Sequence, residues 1–168
     1  RVAHGSIPSG NGGGIYSAGT GSTLTVSNSI FSGNSHNGIY SEGGTLTVSN
    51  STFSGNSILG GYAGAIYKNA GAATVSNSTF SDNSATWIGG AILNSTGTMT
   101  VTNSSFSGNS ADNGGGICNQ NGGTLIVSNC TFLNNSADGG GGIVNVGTLT
   151  VRDSTFSGNR ASYKGGGI

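Results

Sequence analysis

The chain has 168 residues with no formal net charge, and only 6% of its residues are charged. The few Lys and Arg residues form no basic patch, which argues against binding to nucleic acid or to an anionic membrane. No apolar run approaches the roughly 20 residues that a membrane-spanning helix needs. Glycine accounts for 34 residues, yet disordered chains lack periodic apolar residues, so the regular return of Val and Phe favours an ordered repeat.

One sequence unit recurs along the chain, and residues 45–57 (TLTVSNSTFSGNS) are a typical copy. Each unit has a Val, a Phe at the fifth position after it and an Asn at the third position after the Phe. The valines are Val26, Val48, Val75, Val101, Val127 and Val151. A Gly-Ile or Ala-Ile pair precedes each unit, with isoleucines at Ile15, Ile39, Ile66, Ile92, Ile117, Ile143 and Ile168. We therefore expect a single domain over residues 1–168, with a leading segment at 1–11 and repeats from about residue 12 to residue 168.

The pattern inside a unit predicts two strands joined by a one-residue bend. Leu46, Val48, Ser51 and Phe53 can face one side only if the chain is extended and Asn50 resets the alternation. Asparagine tolerates the left-handed conformation of such a bend, and we expect its amide to bond to the identical amide of the next turn. The bend position is filled by Asn28, Asn50, Asn77, Asn103, Asn129 and Asp153. The Asn of Phe-x-x-Asn predicts a second ladder of this kind.

These units predict an all-β fold, a right-handed parallel β-helix of about six turns, each of roughly 22–27 residues. Three short strands per turn are expected, near Ile66, near Thr74 and Val75, and near Thr79 and Phe80. A single turn cannot bury its own apolar face, so each Ile, Leu, Val and Phe should lie on its own copy in the next turn. The right-handed sense of the coil does not follow from the repeat pattern itself; we expect it from the general rule for parallel crossovers.

Two short motifs carry a resemblance to a known family. Residues 89–92 read GGAI and residues 106–109 read FSGN, an example of Phe-x-x-Asn. The chain from about Gly12 to Ile168 resembles parallel β-helix repeat proteins of the pectin-lyase-like superfamily. More narrowly, it resembles repeats of the polymorphic-outer-membrane-protein and adhesin type. The resemblance implies an extracellular or cell-surface location, and it leaves the function open because the superfamily includes lyases, hydrolases, tailspikes and adhesins.

Acidic residues are the first candidates for catalysis or metal binding. Asp112 and Asp138 both occupy the sixth position after a Phe, so they should lie at the same place in adjacent turns. Such a pair suits a weak calcium site or a shared proton, or it is simply solvated. Glu42 and Asp82 occupy other places in their turns. We favour solvated acids and expect no catalytic residue, no cofactor and no enzyme activity, with a polysaccharide lyase or hydrolase as the third-ranked function.

Histidines and cysteines give no site by their spacing. His4 and His36 are isolated, and we expect simple surface histidines. Cys118 and Cys130 belong to one turn, where alternation points Cys130 inward and Cys118 outward. Because a disulfide needs closely facing β-carbons, this arrangement argues against a bond between them. The spacing matches no metal site.

Two columns of residues should face outward. The residue after each Ile forms an apolar stripe of Tyr16, Tyr40, Tyr67 and Leu93, continued by Cys118 and Val144. Stacked tyrosines suit contact with sugar rings or with another protein, unless a long loop covers them. The second column is a two-rank Thr array of Thr23, Thr25, Thr45, Thr47, Thr98, Thr100, Thr148 and Thr150, interrupted by Ala72 and Ile126. The array resembles ice-binding β-solenoid faces, although Thr is also simply a good polar strand former.

The two ends of the chain lie in nearly the same phase of the repeat, and neither carries an evident cap. We expect either a piece of a longer β-helix or stacking of copies head to tail into a fibre. The candidates for end-to-end contact are Ile15, Arg152, Phe156, Arg160, Lys164 and Ile168. The first-ranked function is a non-enzymatic extracellular structural protein, either a surface stalk or adhesin segment or a self-stacking filament subunit. An ice-binding or carbohydrate-binding β-solenoid ranks second.

Overall fold

The computed structural model of the chain describes residues 2–3 and 13–168. In this part of the chain every regular element is a β-strand. The first strands are β1 (Val2–Ala3), β2 (Ile15–Ser17), β3 (Thr23–Ser27), β4 (Ile30–Ser32), β5 (Ile39–Ser41), β6 (Thr45–Ser49), β7 (Thr52–Ser54), β8 (Ser57–Ile58), β9 (Ile66–Lys68), β10 (Ala72–Ser76), β11 (Thr79–Ser81) and β12 (Ser84–Ala85). The remaining strands are β13 (Ile92–Asn94), β14 (Thr98–Thr102), β15 (Ser105–Ser107), β16 (Ile117–Asn119), β17 (Thr124–Ser128), β18 (Thr131–Leu133), β19 (Ser136–Gly139), β20 (Ile143–Asn145), β21 (Thr148–Arg152), β22 (Thr155–Ser157) and β23 (Arg160–Lys164).

The strands stack into three long parallel sheets that run along the molecule. The Ile sheet has the order β2-β5-β9-β13-β16-β20, and the Thr sheet contains β3, β6, β10, β14, β17 and β21 in consecutive turns. The Phe sheet has the order β1-β4-β7-β11-β15-β18-β22. Each strand pairs with its copy one turn away, as when Val75 lies opposite Val48 and Val101. The predicted all-β parallel β-helix of about six turns with three strands per turn is therefore confirmed.

The bend between the Thr sheet and the Phe sheet has the predicted geometry. Asn50, Asn77 and Asn103 each have φ of 48°, and Asp153 has the same value in the last turn. This left-handed residue lets the inward face continue from the Thr strand into the Phe strand, where Ser51 and Phe53 are both buried.

The core consists of columns of like residues, as the repeat predicts. The strongest column is the Phe stack, in which neighbouring rings from Phe31 to Phe156 lie 4.6 to 4.9 Å apart and are nearly parallel. Burying each Phe side chain contributes about 1.5 to 3 kcal/mol. Gly116 shows how close the walls lie, because a Cβ there would meet Gly142 O at 2.5 Å and the Phe132 ring at 2.9 Å. The core is therefore narrow, and small residues at this position allow adjacent turns to stack.

The two predicted Asn ladders have different outcomes. The Phe-x-x-Asn ladder is confirmed: Asn83 Nδ2 donates to Asn109 Oδ1 at 2.9 Å, and Asn109 Nδ2 donates to Asn135 Oδ1 at 2.9 Å. The ladder expected at the bend is wrong, because the bend side chains such as Asn50 and Asn103 are exposed and form no hydrogen bond among the described residues. The left-handed conformation points these amides into solvent, where water satisfies them.

Three features of the fold are absent from the sequence prediction. The Ile sheet carries its own ladder, in which Asn94 Nδ2 donates to Asn119 Oδ1 and Asn119 Nδ2 to Asn145 Oδ1, both at 2.7 Å. Outside the three long sheets, β8 pairs with β12 and β19 pairs with β23, so the loops before the Ile strands are also ordered by parallel pairing. In addition, β1 lies in the expected leading segment and pairs with β4.

Candidate functional site

The outward side of the Ile sheet carries an aromatic cleft of about 280 Å³. Residues that line it include His36, Tyr40, Leu59, Tyr62, Tyr67 and Trp87. Strands β5 and β9 place Tyr40 and Tyr67 side by side, with ring centroids 4.7 Å apart. Tyr62 lies in the loop after β8, between Tyr67 and Trp87. Its ring centroid is 6.1 Å from that of Tyr67 and 4.9 Å from that of Trp87. The cleft is thus a connected set of aromatic rings on an ordered wall.

Hydrogen bonds hold the two loops that carry Tyr62 and Trp87 in fixed positions. Trp87 N donates to Gly61 O at 3.2 Å, and Ala63 N donates to Ile88 O at 3.0 Å. The buried Asn37 amide donates to Tyr62 O at 2.6 Å and also to Ala63 O. The loops therefore follow the same turn-on-turn pairing as the strands, which keeps the aromatic side chains from collapsing onto the sheet.

His36 contributes a buried polar atom to the wall of this cleft. Its Nδ1 atom is buried and forms no hydrogen bond within the described structure. His36 is half-buried at the surface, with its ring partly covered beside Tyr40 and the loop after β8. His4 lies outside the described residues.

Only part of the predicted apolar stripe is exposed to solvent. Tyr16 is 51% exposed, and its hydroxyl donates to Glu42 Oε2 at 3.0 Å. Tyr40 and Tyr67 are half-buried. Leu93 is fully buried, so its inclusion as a contact residue is wrong: Ala63 and Ile88 of the adjacent loops pack over it, as the loop-cover alternative anticipated.

The tyrosines of the stripe remain neutral over a wide pH range. The hydrogen bond to Glu42 raises the pKa of Tyr16, and burial raises the pKa of Tyr40 and of Tyr67. The phenol groups consequently act as hydrogen-bonding and stacking groups, without charge.

The Thr array has the predicted register on the outer face of the Thr sheet. Thr23 lies opposite Thr45, Thr25 lies opposite Thr47, and the same two ranks continue through the later turns to β21. The exposed residues are Thr23, Thr45, Thr98 and Thr148 of the first rank and Thr25 of the second rank. The half-buried residues are Thr47, Thr100 and Thr150, all of the second rank. Ala72 and Ile126 interrupt one rank each.

The acidic candidates lie in adjacent turns, as predicted. Asp138 N donates to Asp112 O at 2.8 Å, and Ser162 Oγ donates to Asp138 Oδ1. Both side chains are exposed. Within residues 13–168 no three His, Cys, Asp or Glu side chains gather as a metal site would require.

The two cysteines are unpaired and buried in separate places. Cys130 packs in the core, as alternation predicts. Cys118 lies outside the core but under the loops, beside Leu93, and burial raises the pKa of its thiol to about 12. Neither thiol is therefore a reactive surface group.

The candidates for end-to-end contact lie at opposite ends of the solenoid. Ile15 begins the first Ile strand, whereas Arg152, Phe156, Arg160 and Lys164 belong to the last turn and Ile168 follows it. Phe156 is half-buried and stacks on Phe132 at 4.6 Å. The Arg and Lys side chains are exposed, and Ile168 is 55% exposed.

Comparison with known families agrees with this architecture. A family model described as a right handed beta helix region matches residues 54–168. The chain belongs to the right-handed β-helix family. No curated protein and no solved structure matches this β-helix significantly. Among its described residues, no helix has the length and apolar character to span a bilayer.

Only some of the residues that form the cleft could be identified from the sequence. The stripe pointed to Tyr40 and Tyr67, but Tyr62, Trp87 and His36 were missed. Two signals were available: the interval between Val48 and Val75 is the longest between successive repeat valines, and the one Trp of the chain lies in the next loop. An enlarged turn beside an outward tyrosine pair is where a β-helix has room for a site.

Proposed function

We propose that this β-helix is a non-enzymatic extracellular structural protein, a rigid surface stalk or adhesin segment that can also serve as a self-stacking filament subunit. The observation that supports this role is the continuity of its axial contacts. The Phe stack and the Phe-x-x-Asn ladder pass through every turn from Phe31 to Asn159 without a break. Such a rod spans a distance and carries a load along its axis through many identical contacts between turns. This role needs no catalytic residue.

Self-stacking is the form of this proposal that can be tested most directly. The last turn repeats the register of the turns before it, so its free strand edges suit a further turn of matching sequence. That turn can belong to the same polypeptide or to a second copy. The half-buried Phe156 marks the position where another Phe would extend the stack.

Electron microscopy and sedimentation velocity on the purified chain test the filament form. We expect concentration-dependent fibres about one β-helix wide. Phe156→Arg should abolish them, because a charged side chain would occupy the Phe column. Thr155→Arg is the matched control, since Thr155 is the exposed neighbour in the same strand and should leave fibres intact. Monomers at all concentrations, or equal fibre yield from both variants, would contradict stacking through this face.

Ice binding is the second candidate, and the regular register of the Thr array is the observation that favours it. Alternate residues of a strand lie about 6.6 Å apart and neighbouring turns about 4.8 Å apart, which makes the array a flat lattice of hydroxyl and methyl groups. Thermal hysteresis of the purified chain is the test. A bulky side chain in the middle of the array, Thr47→Tyr, should remove the activity, whereas Thr131→Tyr on the exposed side of the Phe sheet should not. A chain with no thermal hysteresis would exclude this function.

A further inference from the structure

We propose that the aromatic cleft binds a quaternary ammonium group, such as the trimethylammonium head of choline, through cation–π contacts with its rings. The inference goes beyond the structural role and does not depend on stacking of copies. It rests on three observations: the angles and separations of the rings, the enclosure of the polar atoms behind them, and the distribution of charge around the cleft.

Neighbouring rings of the cleft are inclined so that their faces can converge on one point. Tyr40 and Tyr67 meet at 70°. Tyr62 meets Tyr67 at 62° and Trp87 at 59°. The centroid separations of these three pairs lie between 4.7 and 6.1 Å. Rings that are inclined and spaced in this way can share one cation within about 6 Å of each centroid, the distance over which the face of Tyr or Trp attracts a positive charge.

The two outer rings are accessible and yet fixed in position. Trp87 is 43% exposed and Tyr62 is 39% exposed, while their backbones are held by the pairing of the two loops and by the Asn37 amide. A site that is formed in the free protein avoids the cost of ordering its side chains on binding. The volume of about 280 Å³ lies just below the range of drug-sized sites, about 300 to 1,000 Å³. The cleft therefore suits a compact head group, with the rest of the ligand in solvent.

The polar atoms behind the rings are not available to a ligand. His36 Nδ1 is buried, so a ligand cannot reach it. The Asn37 amide is also buried and already donates to Tyr62 O and Ala63 O. A sugar or a primary ammonium group needs several hydrogen-bonding partners to replace the water that it loses on binding. A quaternary ammonium group has no N–H and needs none, so this lining suits it better than either.

The distribution of charge also favours a cation at this position. None of the described residues that line the cleft is Lys or Arg. The Glu42 carboxylate lies beside the cleft, because it accepts a hydrogen bond from Tyr16, whose ring centroid is 5.5 Å from that of Tyr40. Lys68 is buried on the inner side of the sheet, where it donates to Gly43 O. In the described part of the chain, the exposed Lys and Arg side chains belong to β21 and β23 of the last turn.

Intrinsic fluorescence provides a direct assay, because Trp87 is the one Trp of the chain. Choline chloride is titrated into the full chain at constant ionic strength. The uncharged probe of the same shape is dimethylbutanol, in which a carbon atom replaces the quaternary nitrogen. We expect a saturable change in Trp87 emission with choline in the millimolar range, and affinity at least tenfold weaker for dimethylbutanol. Equal responses would show an apolar site with no preference for charge and would overturn the proposal, as would no response to choline.

Variants then locate the binding by saturation-transfer NMR on the choline methyl signal. Trp87→Ala and Tyr62→Ala should each weaken binding at least tenfold, since each removes one wall of the cleft. Tyr163→Ala is the matched control, because Tyr163 is an exposed aromatic residue of the last turn, outside the cleft, and this variant should bind as the parent does. Equal affinity in the Trp87→Ala variant would overturn the assignment to this cleft. Since Trp87 is exposed on a loop, circular dichroism should show the same β-structure in all variants.

A vesicle assay identifies the source of the head group, because a soluble choline compound and a phosphatidylcholine surface present the same chemistry. The full chain is sedimented with phosphatidylcholine vesicles and, as the control, with phosphatidylglycerol vesicles. Co-sedimentation with phosphatidylcholine alone identifies a lipid head group, whereas choline binding without co-sedimentation identifies a soluble ligand, and either result supports the proposal. Co-sedimentation with phosphatidylglycerol alone would show recognition of an anionic surface and would contradict it.

Discussion

At the scale of single residues, the repeat uses asparagine for two different physical purposes. At the bend, as at Asn103, asparagine supplies a left-handed backbone while its amide is exposed. In the ladder, as at Asn109, the backbone is ordinary and the amide is fully buried. Asn109 Oδ1 accepts from both N and Nδ2 of Asn83, and its Nδ2 donates to Phe80 O and Asn135 Oδ1. The two positions should therefore differ sharply in their tolerance of change.

The same substitution at both positions tests this difference. Asn109→Asp should lower the free energy of unfolding by about 3 kcal/mol or more, because a buried carboxylate replaces the amide. Phe80 O then loses its donor from this side chain, and Asn135 Oδ1 keeps only the hydrogen bond from the backbone N–H of residue 109. Asn103→Asp should change the free energy of unfolding by less than about 1 kcal/mol, since Asp153 occupies the equivalent bend with the same φ. Urea unfolding followed by far-ultraviolet circular dichroism measures both. Equal destabilisation by the two variants would show that the ladder is not a main source of stability.

At the scale of elements, the Asn ladder of the Ile sheet ends at Lys68. The column reads Ser41, Lys68, Asn94, Asn119 and Asn145 in successive turns. Lys68 is fully buried, and its Nζ donates to Ser41 Oγ and to the carbonyls of Gly43 and Gly44, with no carboxylate among these partners. Asn94 Oδ1, opposite it, is buried without a partner. The lysine thus interrupts the ladder and introduces a buried charge.

Lys68→Asn should stabilise the protein by extending this ladder. An amide at residue 68 can donate to Asn94 Oδ1, as Asn94 donates to Asn119. Removing the buried ammonium also removes its desolvation penalty. We expect the free energy of unfolding at neutral pH to rise by about 1 to 2 kcal/mol. Lys68→Ala is the control: it removes the charge but leaves Asn94 Oδ1 unpaired, so it should be less stable than Lys68→Asn.

The pH dependence of the same pair provides an independent check. Burial lowers the pKa of Lys68 below its ordinary value of 10.5. Between the lowered pKa and 10.5 the unfolded chain binds more protons than the folded chain, so the free energy of unfolding rises with pH in this interval. The advantage of Lys68→Asn over the parent protein should therefore shrink as pH approaches 10.5. A stability difference independent of pH would show that Lys68 does not titrate differently in the folded state.

At the scale of the whole molecule, the fold could be predicted because inward positions repeat their chemistry. Val48, Phe53 and their copies recur at regular separations, and a stacked solenoid is the arrangement that buries every copy against its own kind. The Phe-x-x-Asn ladder could be predicted for the same reason. The prediction of a ladder at the bend was wrong because residue type alone does not determine whether a left-handed Asn points its amide inward or outward.

The aromatic cleft was harder to predict because it lies where the repeat is irregular. Tyr62 and Trp87 belong to loops whose lengths differ from turn to turn, so no column reveals that they are neighbours. Their contact depends on the pairing of β8 with β12 and on the Asn37 hydrogen bonds. Leu93 was misassigned for a related reason, since the same loops cover it.

The number of residues varies from turn to turn, which matters for engineering and for evolution. Turns of unequal length coexist with an unbroken stack of rings, because extra residues are accommodated in the loops between strands, chiefly the loop before the Ile strand, and the next strand returns to register. Leu59, which is 89% exposed at the tip of the longest of these excursions, is thus a natural graft point. A foreign peptide inserted after it would be displayed on a rigid rod, and because Leu59 also lines the aromatic cleft, insertions there would change the cleft while the stacked strands stay unchanged.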